Sequence, residues 1–292
     1  LAEQGFEVFL LEKDSELGGI ARKIYYTLEG LDVQAYLKDL VSKVYRNPLL
    51  HVFTDATIKD VNGYVGNFVT KITYGGVAKE IHHGVAIIAT GAEEYKPTEY
   101  LYGQDDRVMT NLELEERIVG GDEKVKNAQS LTMIQCVGCR NEDRNYCARI
   151  CCSQSIKNAL KLKEMNPGMD IYILFRDMRT YGFKEDYYRE AANKGVRFIR
   201  YEPQDPPQVE PGKAEDGRAV LKIIATDYIL DKKLELDADI IALAAAAVPS
   251  KTNNDMARFF KVALNPDGFF QEAHVKLRPV DFAADGVFLC GA

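Results

Sequence analysis

Apolar residues recur along the chain in short runs, separated by polar stretches of helical period. "FEVFLLE" (6–12) alternates and then turns continuously apolar, the pattern of a strand in a parallel sheet. The preceding "LAEQG" predicts the tail of a helix closed by Gly5. "DVQAYLKDLVSKVYR" (32–46) carries apolar residues at helical spacing. Three alternating runs, "LHVFTDATIKDVNG", "NFVTKITYG" and "AKEIHHG", predict a small antiparallel sheet with glycine turns. His82 and His83 are adjacent there and so point to opposite faces. "VAIIA" (85–89) predicts a buried strand that runs into a Thr-Gly turn. After a polar connection (96–129), "SLTMI" opens a second set of alternating strands and helices. "SQSIKNALKLKEMN" predicts a mostly polar helix ending before Pro167, and "DIYILFR" (170–176) a strand. "EDYYREAANKGVRFIRY" predicts a helix, a stop at Gly195 and another strand. "PQDPPQVEPGKAEDG" (203–217) predicts a surface loop. A hairpin then feeds a last buried strand, and the chain closes on the apolar "GVFLCGA". The class is α/β.

The 292 residues suffice for one large domain or two ordinary ones. A net charge of −7 and a pI near 5.3 argue against nucleic acid or an anionic membrane as the main partner. The longest apolar run, "ADIIALAAAAV" from Ala238, falls short of the ~20 residues of a membrane helix. No signal peptide is visible, and both ends read as cut, so the chain is expected to be a fragment of a longer protein.

Cysteine use alters this picture. Five of six cysteines, at 136, 139, 147, 151 and 152, lie in "IQCVGCRNEDRNYCARICCSQS", between an apolar strand and a helix. An ordinary dinucleotide-binding unit carries glycines at that turn, to admit a pyrophosphate. Thiols so close together indicate a metal or cluster site in a reducing compartment rather than disulfides. The adjacent Cys151 and Cys152 are awkward for one small ion but suit a cuboidal cluster, where each iron takes its own thiolate. An iron–sulfur cluster ranks first, tetrahedral zinc second and a Cys136-x2-Cys139 redox dithiol third. Cys290, on the terminal strand, is expected to be a core residue.

Other candidates are weaker taken singly. Glu12, ending a strand, suits a ribose-binding carboxylate or a solvated strand end. Gly18 and Gly19 permit close backbone approach or make a tight turn. Thr90 and Gly91 form a turn against which a flat ligand would lie. Arg176 and Arg179 follow a strand where a 2′-phosphate binder or plain surface charge is expected.

Together these pieces carry a resemblance. Glu12, "LGG" (17–19), "VAIIATGA" (85–92) and "FAADGVFLCGA" (282–292) resemble the successive flavin-binding elements of thioredoxin reductase-like flavoproteins. "CVGCR" with "YCARICC" resembles the cysteine signature of the A-type iron–sulfur subunit of heterodisulfide reductase. The resemblance implies a thioredoxin reductase-like fold of two dinucleotide-binding domains, the second Rossmann-like unit inserted in the first, with a small antiparallel β element. Its expected boundaries are 1–125 for the first part of an FAD-binding domain, lacking its first strand and glycine loop. The insert, with the cysteine site, is expected at 126–247 and the return to the FAD domain at 248–292. It implies FAD, held by Glu12, Gly18, Gly19, Thr90, Gly91 and Gly291. It also implies a [4Fe–4S] cluster on Cys136, Cys147, Cys151 and Cys152, since serine often stands at the position of Cys139 in that family. Lys157 would lie near the flavin's reactive edge, the alternative being a solvated helix lysine. Its polar-rich helix predicts that truncating it leaves stability within about 0.5 kcal/mol. The function implied is cytoplasmic electron transfer through FAD and a cluster. The chain would act as an oxidoreductase in a dimeric complex with other heterodisulfide reductase-type subunits and an electron-donating hydrogenase or dehydrogenase. In methanogens such complexes serve methanogenesis by flavin-based electron bifurcation. The rivals are an NAD(P)H-dependent flavin oxidoreductase with a zinc-stabilised insert, and a non-catalytic scaffold stapled by its cluster.

Overall fold

A computed structural model describes residues 1–291. The chain forms two compact units. The first comprises residues 1–22, 34–93 and the described residues from 248 on, and the second comprises 23–33 and 94–247. The second unit is thus inserted in the first, but it begins earlier than the sequence suggests. Residues 94–125, read there as part of the first domain, pack with the second.

In the first unit, Val8–Leu11 pairs in parallel with Leu50–Phe53. The Val8–Leu11 strand is only half-buried along its length, less covered than its apolar run predicts. The short 3-10 turn Ala2–Gln4 before it closes on Gly5 in the left-handed conformation, as expected. By that parallel pairing "LHVF" lies outside the antiparallel sheet that its alternation predicts. That sheet contains Thr57–Tyr64, Asn67–Tyr74 and Val77–His83. Ala86–Ile88 pairs in parallel with Val287–Leu289, a pairing between segments some two hundred residues apart. Phe68, Ile88, Val262, Phe270, Phe282 and Val287 pack as one core, and Phe53, Ala56, Ile72 and Ile81 as another. His83 bonds Thr70 and the Val85 carbonyl and stacks on Phe68, whereas His82 is exposed.

The second unit is built on a five-stranded parallel sheet. Its order is Arg197–Arg200, Asp170–Phe175, Ser130–Val137, Ile240–Ala245 and Val108–Thr110. The central strands are continuously apolar because both faces are covered; Leu131, Met133, Ile134, Ile171, Ile173, Ile241 and Leu243 are buried. The polar connection 96–129 in fact supplies the edge strand Val108–Thr110 and the helix Asn111–Gly120. A capping box starts that helix: the Thr110 side chain accepts from the Glu113 amide while Glu113 accepts from the Thr110 amide. The expected loop 203–217 contains the strand Gln208–Lys213, paired antiparallel with Ala219–Asp227. Pro211, lacking an N–H, is tolerated because this is an edge strand.

Candidate functional site

The buried strand Ser130–Val137 delivers Cys136 at its end. There the backbone leaves extended geometry: Cys136, Gly138 and Arg140 all have positive φ, at 64°, 77° and 57°. Such values are costly for side-chain-bearing residues and mark a turn fixed by its surroundings. The Arg140 amide donates to the Tyr146 carbonyl and the Asn141 amide to the Arg144 carbonyl, which folds 140–146 back on itself. Cys147 follows, its sulfur accepting from the Arg149 amide at 3.3 Å. Cys151 and Cys152 occupy the first turn of the helix Cys151–Met165. No side chain caps that turn, so its amides and the positive end of the helix dipole favour an anionic group.

All five thiols belong to one neighbourhood. Cys136, Cys139, Cys151 and Cys152 are buried, Cys147 is half-buried, and none forms a disulfide. A hydrogen bond from Cys139 lowers the Cys136 thiol to about 6, helped by the charges of Arg140 and Arg176. Donation to Cys136 and burial push Cys139 up. A hydrogen bond from Cys151 likewise lowers Cys152 to about 7, helped by the Arg179 amide, while Cys151 is pushed up. Cys139, which the family's pattern set aside, is 1% exposed and stands as deep in the group as the other thiols.

The chemistry of this donor set fits a thiolate-bound polynuclear group. Among the described residues, no three Cys, His, Asp or Glu side chains stand in the geometry of a single metal ion. Two buried polar atoms beside the thiols lack a partner: Ser153 Oγ, next to Cys152 in the helix, and Arg176 Nε, whose guanidinium acts on Cys136. Both are able to donate a hydrogen bond.

The turn is tightly packed around its glycine. A Cβ at Gly138 would lie 2.1 Å from Cδ1 of Tyr95, so the tyrosine ring packs flush on this turn. Arg144 covers that ring at 4.7 Å.

Lys157 is not a solvated helix lysine. Despite its polar sequence, the helix Cys151–Met165 is largely buried, and Lys157 with it. Its Nζ lies 2.8 Å from Glu115 Oε2 and donates to the Tyr26 carbonyl at 2.7 Å. Burial lowers its pKa despite that partner. The expectation that truncation costs almost nothing fails on this burial.

In the first unit, Glu12 ends the strand Val8–Leu11; its amide donates to the Phe53 carbonyl and its Oε1 accepts from the Asp14 amide. Gly18 and Gly19 follow with positive φ, and a Cβ at Gly18 would meet Leu37 and Arg22 at 3.0 Å. The positive φ of Gly18 favours glycine there, and a side chain would also press on Leu37 and Arg22. Register places Ile88 opposite Leu289, which brings the Thr90–Gly91 turn beside Cys290 and Gly291 at the carboxyl ends of two parallel strands. Ligands bind at such ends in α/β folds. Gly91 and Gly291 have positive φ and open space where a side chain would stand, a cradle that fits a close-packed ligand. Cys290 is exposed there, and not the core residue expected. A buried residue missed in the sequence fixes this turn: Asn253 accepts from Thr90 Oγ1 at 3.0 Å and donates to the Gly268 carbonyl. Its two ties could not be read from "TNND" alone.

No family model matches the chain. It is 28% identical over 388 aligned positions, all of this chain and 58% of the relative, to the A-type iron-sulfur subunit of CoB–CoM heterodisulfide reductase from Methanocaldococcus jannaschii. It is 35% identical over 228 positions, 73% of this chain and 28% of the relative, to the A-type subunit of ferredoxin:CoB-CoM heterodisulfide reductase from Methanosarcina mazei. The chain spans a little over half the length of the full-length relatives it matches end to end. Those alignments run to 384–390 positions against 292 residues, so the relatives also carry internal stretches that this chain lacks. Among solved structures, thioredoxin reductase from Lactococcus lactis superposes with a TM-score of 0.62, at 16% identity, over 99% of this chain and 83% of that one. The T. acidophilum enzyme gives 0.58 at 13% identity, over the same shares. The fold is thioredoxin reductase-like.

Proposed function

We propose that this relative of the A-type heterodisulfide reductase subunits is the flavin- and cluster-bearing core of an electron-transfer oxidoreductase that works in a multi-subunit complex. The observation that carries the reading is the gathering of five thiols at a strand-to-helix turn, with Tyr95 packed on the one glycine between Cys136 and Cys139. The names of its relatives, which include an iron-sulfur subunit, support the same reading. No helix among the described residues is long and apolar enough to cross a membrane.

In this reading Cys136, Cys147, Cys151 and Cys152 hold an iron–sulfur cluster, with Cys139 beside them. Glu12 binds the adenosine ribose of FAD, and the turns at Gly18–Gly19, Thr90–Gly91 and Gly291 admit its flat and phosphate-bearing parts. When bound, the flavin supplies exchange between paired and single electrons. Lys157 has three N–H bonds, of which two go to Glu115 and the Tyr26 carbonyl. Its charge stabilises the reduced, anionic flavin, and Glu115 sets how much of that charge is felt. The finer form of the proposal divides an electron pair between two acceptors in partner subunits.

The test uses the full-length natural protein, purified without oxygen. It should contain FAD, and Cys147→Ala should lose its iron while Cys139→Ser largely keeps it. Equal loss in both variants would refute the ligand assignment. Adding NADH or NADPH should leave the flavin oxidised. Stoichiometric bleaching by either would return the reading to a nicotinamide-dependent oxidoreductase.

A further inference from the structure

Several arginines surround the thiols, and Arg140 reaches a sulfur with its side chain. Arg140 Nη1 donates to Cys136 Sγ at 3.8 Å, and its Nη2 donates to Asp177 Oδ2 at 2.7 Å. The Asp177 carbonyl lies 3.8 Å from Cys152 Sγ. One side chain thus links the strand-end thiols to the helix-end thiols. Arg176 stands behind it: its Nη1 donates to the Arg140 carbonyl, its guanidinium lies 5.7 Å from the centre of the Tyr201 ring, and its buried Nε is free. Tyr201 is itself fixed by donation to the Gln135 carbonyl.

The loop does not need the Arg140 side chain to keep its path. Its backbone amide and carbonyl already make the loop's bonds, to Tyr146 and Arg176. What the side chain adds is a positive charge and an N–H at the sulfur, balanced by the carboxylate of Asp177. Potentials of thiolate-bound clusters are set by net charge, hydrogen bonds to sulfur and exposure to water. Reduction adds one electron, and so one negative charge, to an already anionic group. A nearby cation favours the reduced form, and a nearby anion opposes it.

We propose, resting on the cluster reading above, that Arg140 is a tuning residue that raises the reduction potential of the thiolate-bound group, with Asp177 as its counterweight and Arg176 as a second cation. The sign of the effect therefore differs along a charge series. Removing Arg140 lowers the potential, removing the Asp177 charge raises it, and removing Arg176 lowers it again.

The experiment is an anaerobic redox titration with dithionite as electron donor, followed by electron paramagnetic resonance. The full-length protein is compared with Arg140→Gln, Arg140→Lys, Arg176→Gln and Asp177→Asn, each assayed for iron and sulfide. Arg140→Gln should keep its iron and become tenfold or more harder to reduce, about 59 mV for one electron. Arg140→Lys should recover part of that loss, Arg176→Gln should shift the same way, and Asp177→Asn should shift oppositely. Unchanged potentials at full iron content would overturn the proposal. Loss of iron from Arg140→Gln would also overturn it, because the arginine would then be holding the site together. Wild-type protein without iron would instead defeat the underlying cluster reading, a failure seen before any variant is compared.

Discussion

Lys157 and Glu115 form a buried ion pair, 2.8 Å apart, with the lysine side chain 9% exposed and the carboxylate 0%. Glu115 Oε1 also accepts from the amides of Tyr25 and Tyr26, at 2.6 and 3.3 Å. The Tyr26 hydroxyl donates to Asn158 Oδ1 and its ring lies under the lysine at 4.8 Å. The pair thus fastens the segment 23–33 to two helices of the second unit.

Breaking one side of this pair leaves a buried charge without compensation. Lys157→Ala and Glu115→Ala should each destabilise the protein by about 3–5 kcal/mol. Lys157→Met with Glu115→Gln should cost much less than the sum of the single changes. Denaturant titration measures all three. Additive losses would mean that the two side chains act independently.

The pair also predicts a pH dependence. Burial holds the Lys157 pKa below its ordinary 10.5 in the folded protein. Between the two values the unfolded chain binds the proton and the folded chain does not, so the lysine's contribution to stability rises with pH there. The stability difference between wild type and the doubly substituted protein should grow as pH climbs toward 10.5. A difference that shrinks over that interval would contradict the assigned burial.

Asn253 supports the turn expected to face the flavin. Asn253→Ala removes its bonds to Thr90 and Gly268 and strands their partners, a loss of about 1–3 kcal/mol. FAD content of the full-length variant should fall while iron content stays at the wild-type level. Parallel loss of both would mean that the substitution unfolds more than the turn.

Gly138 and Tyr95 pack without room for a methyl group. Gly138→Ala should cost about 1–3 kcal/mol from overpacking, beyond roughly 1–2 kcal/mol for left-handed backbone. Combining it with Tyr95→Ala should recover the overpacking part only. Thermal unfolding of the single and double variants separates the two terms.

The parallel strands were legible in the sequence because burial on both faces leaves continuous apolar runs, as in "DIYILF" and "DIIALAA". The cysteine turn was legible from spacing alone. The helix Asn111–Gly120 was not, because its buried face includes Asn111 and Glu115, whose partners Ser155 and Lys157 lie far along the chain. Its capping box, Thr110 to Glu113, was the local signal that marked it. The helix Cys151–Met165 misled for the same reason: Ser155, Lys157 and Asn158 are polar but satisfied by distant groups, so polarity did not mean exposure. The separation of "LHVF" from the antiparallel sheet depends on pairing with Val8–Leu11, which no local pattern records.

The central claim is that the gathered thiols hold an iron–sulfur cluster. Iron, acid-labile sulfide and zinc, measured per chain on full-length protein isolated without oxygen, test it most directly. The account predicts about four iron and four sulfide for one cubane bound at this site, with any further clusters elsewhere in the longer chain removed from the count by subtracting the Cys147→Ala value. Stoichiometric zinc that Cys147→Ala abolishes, with no sulfide lost alongside it, would contradict the account.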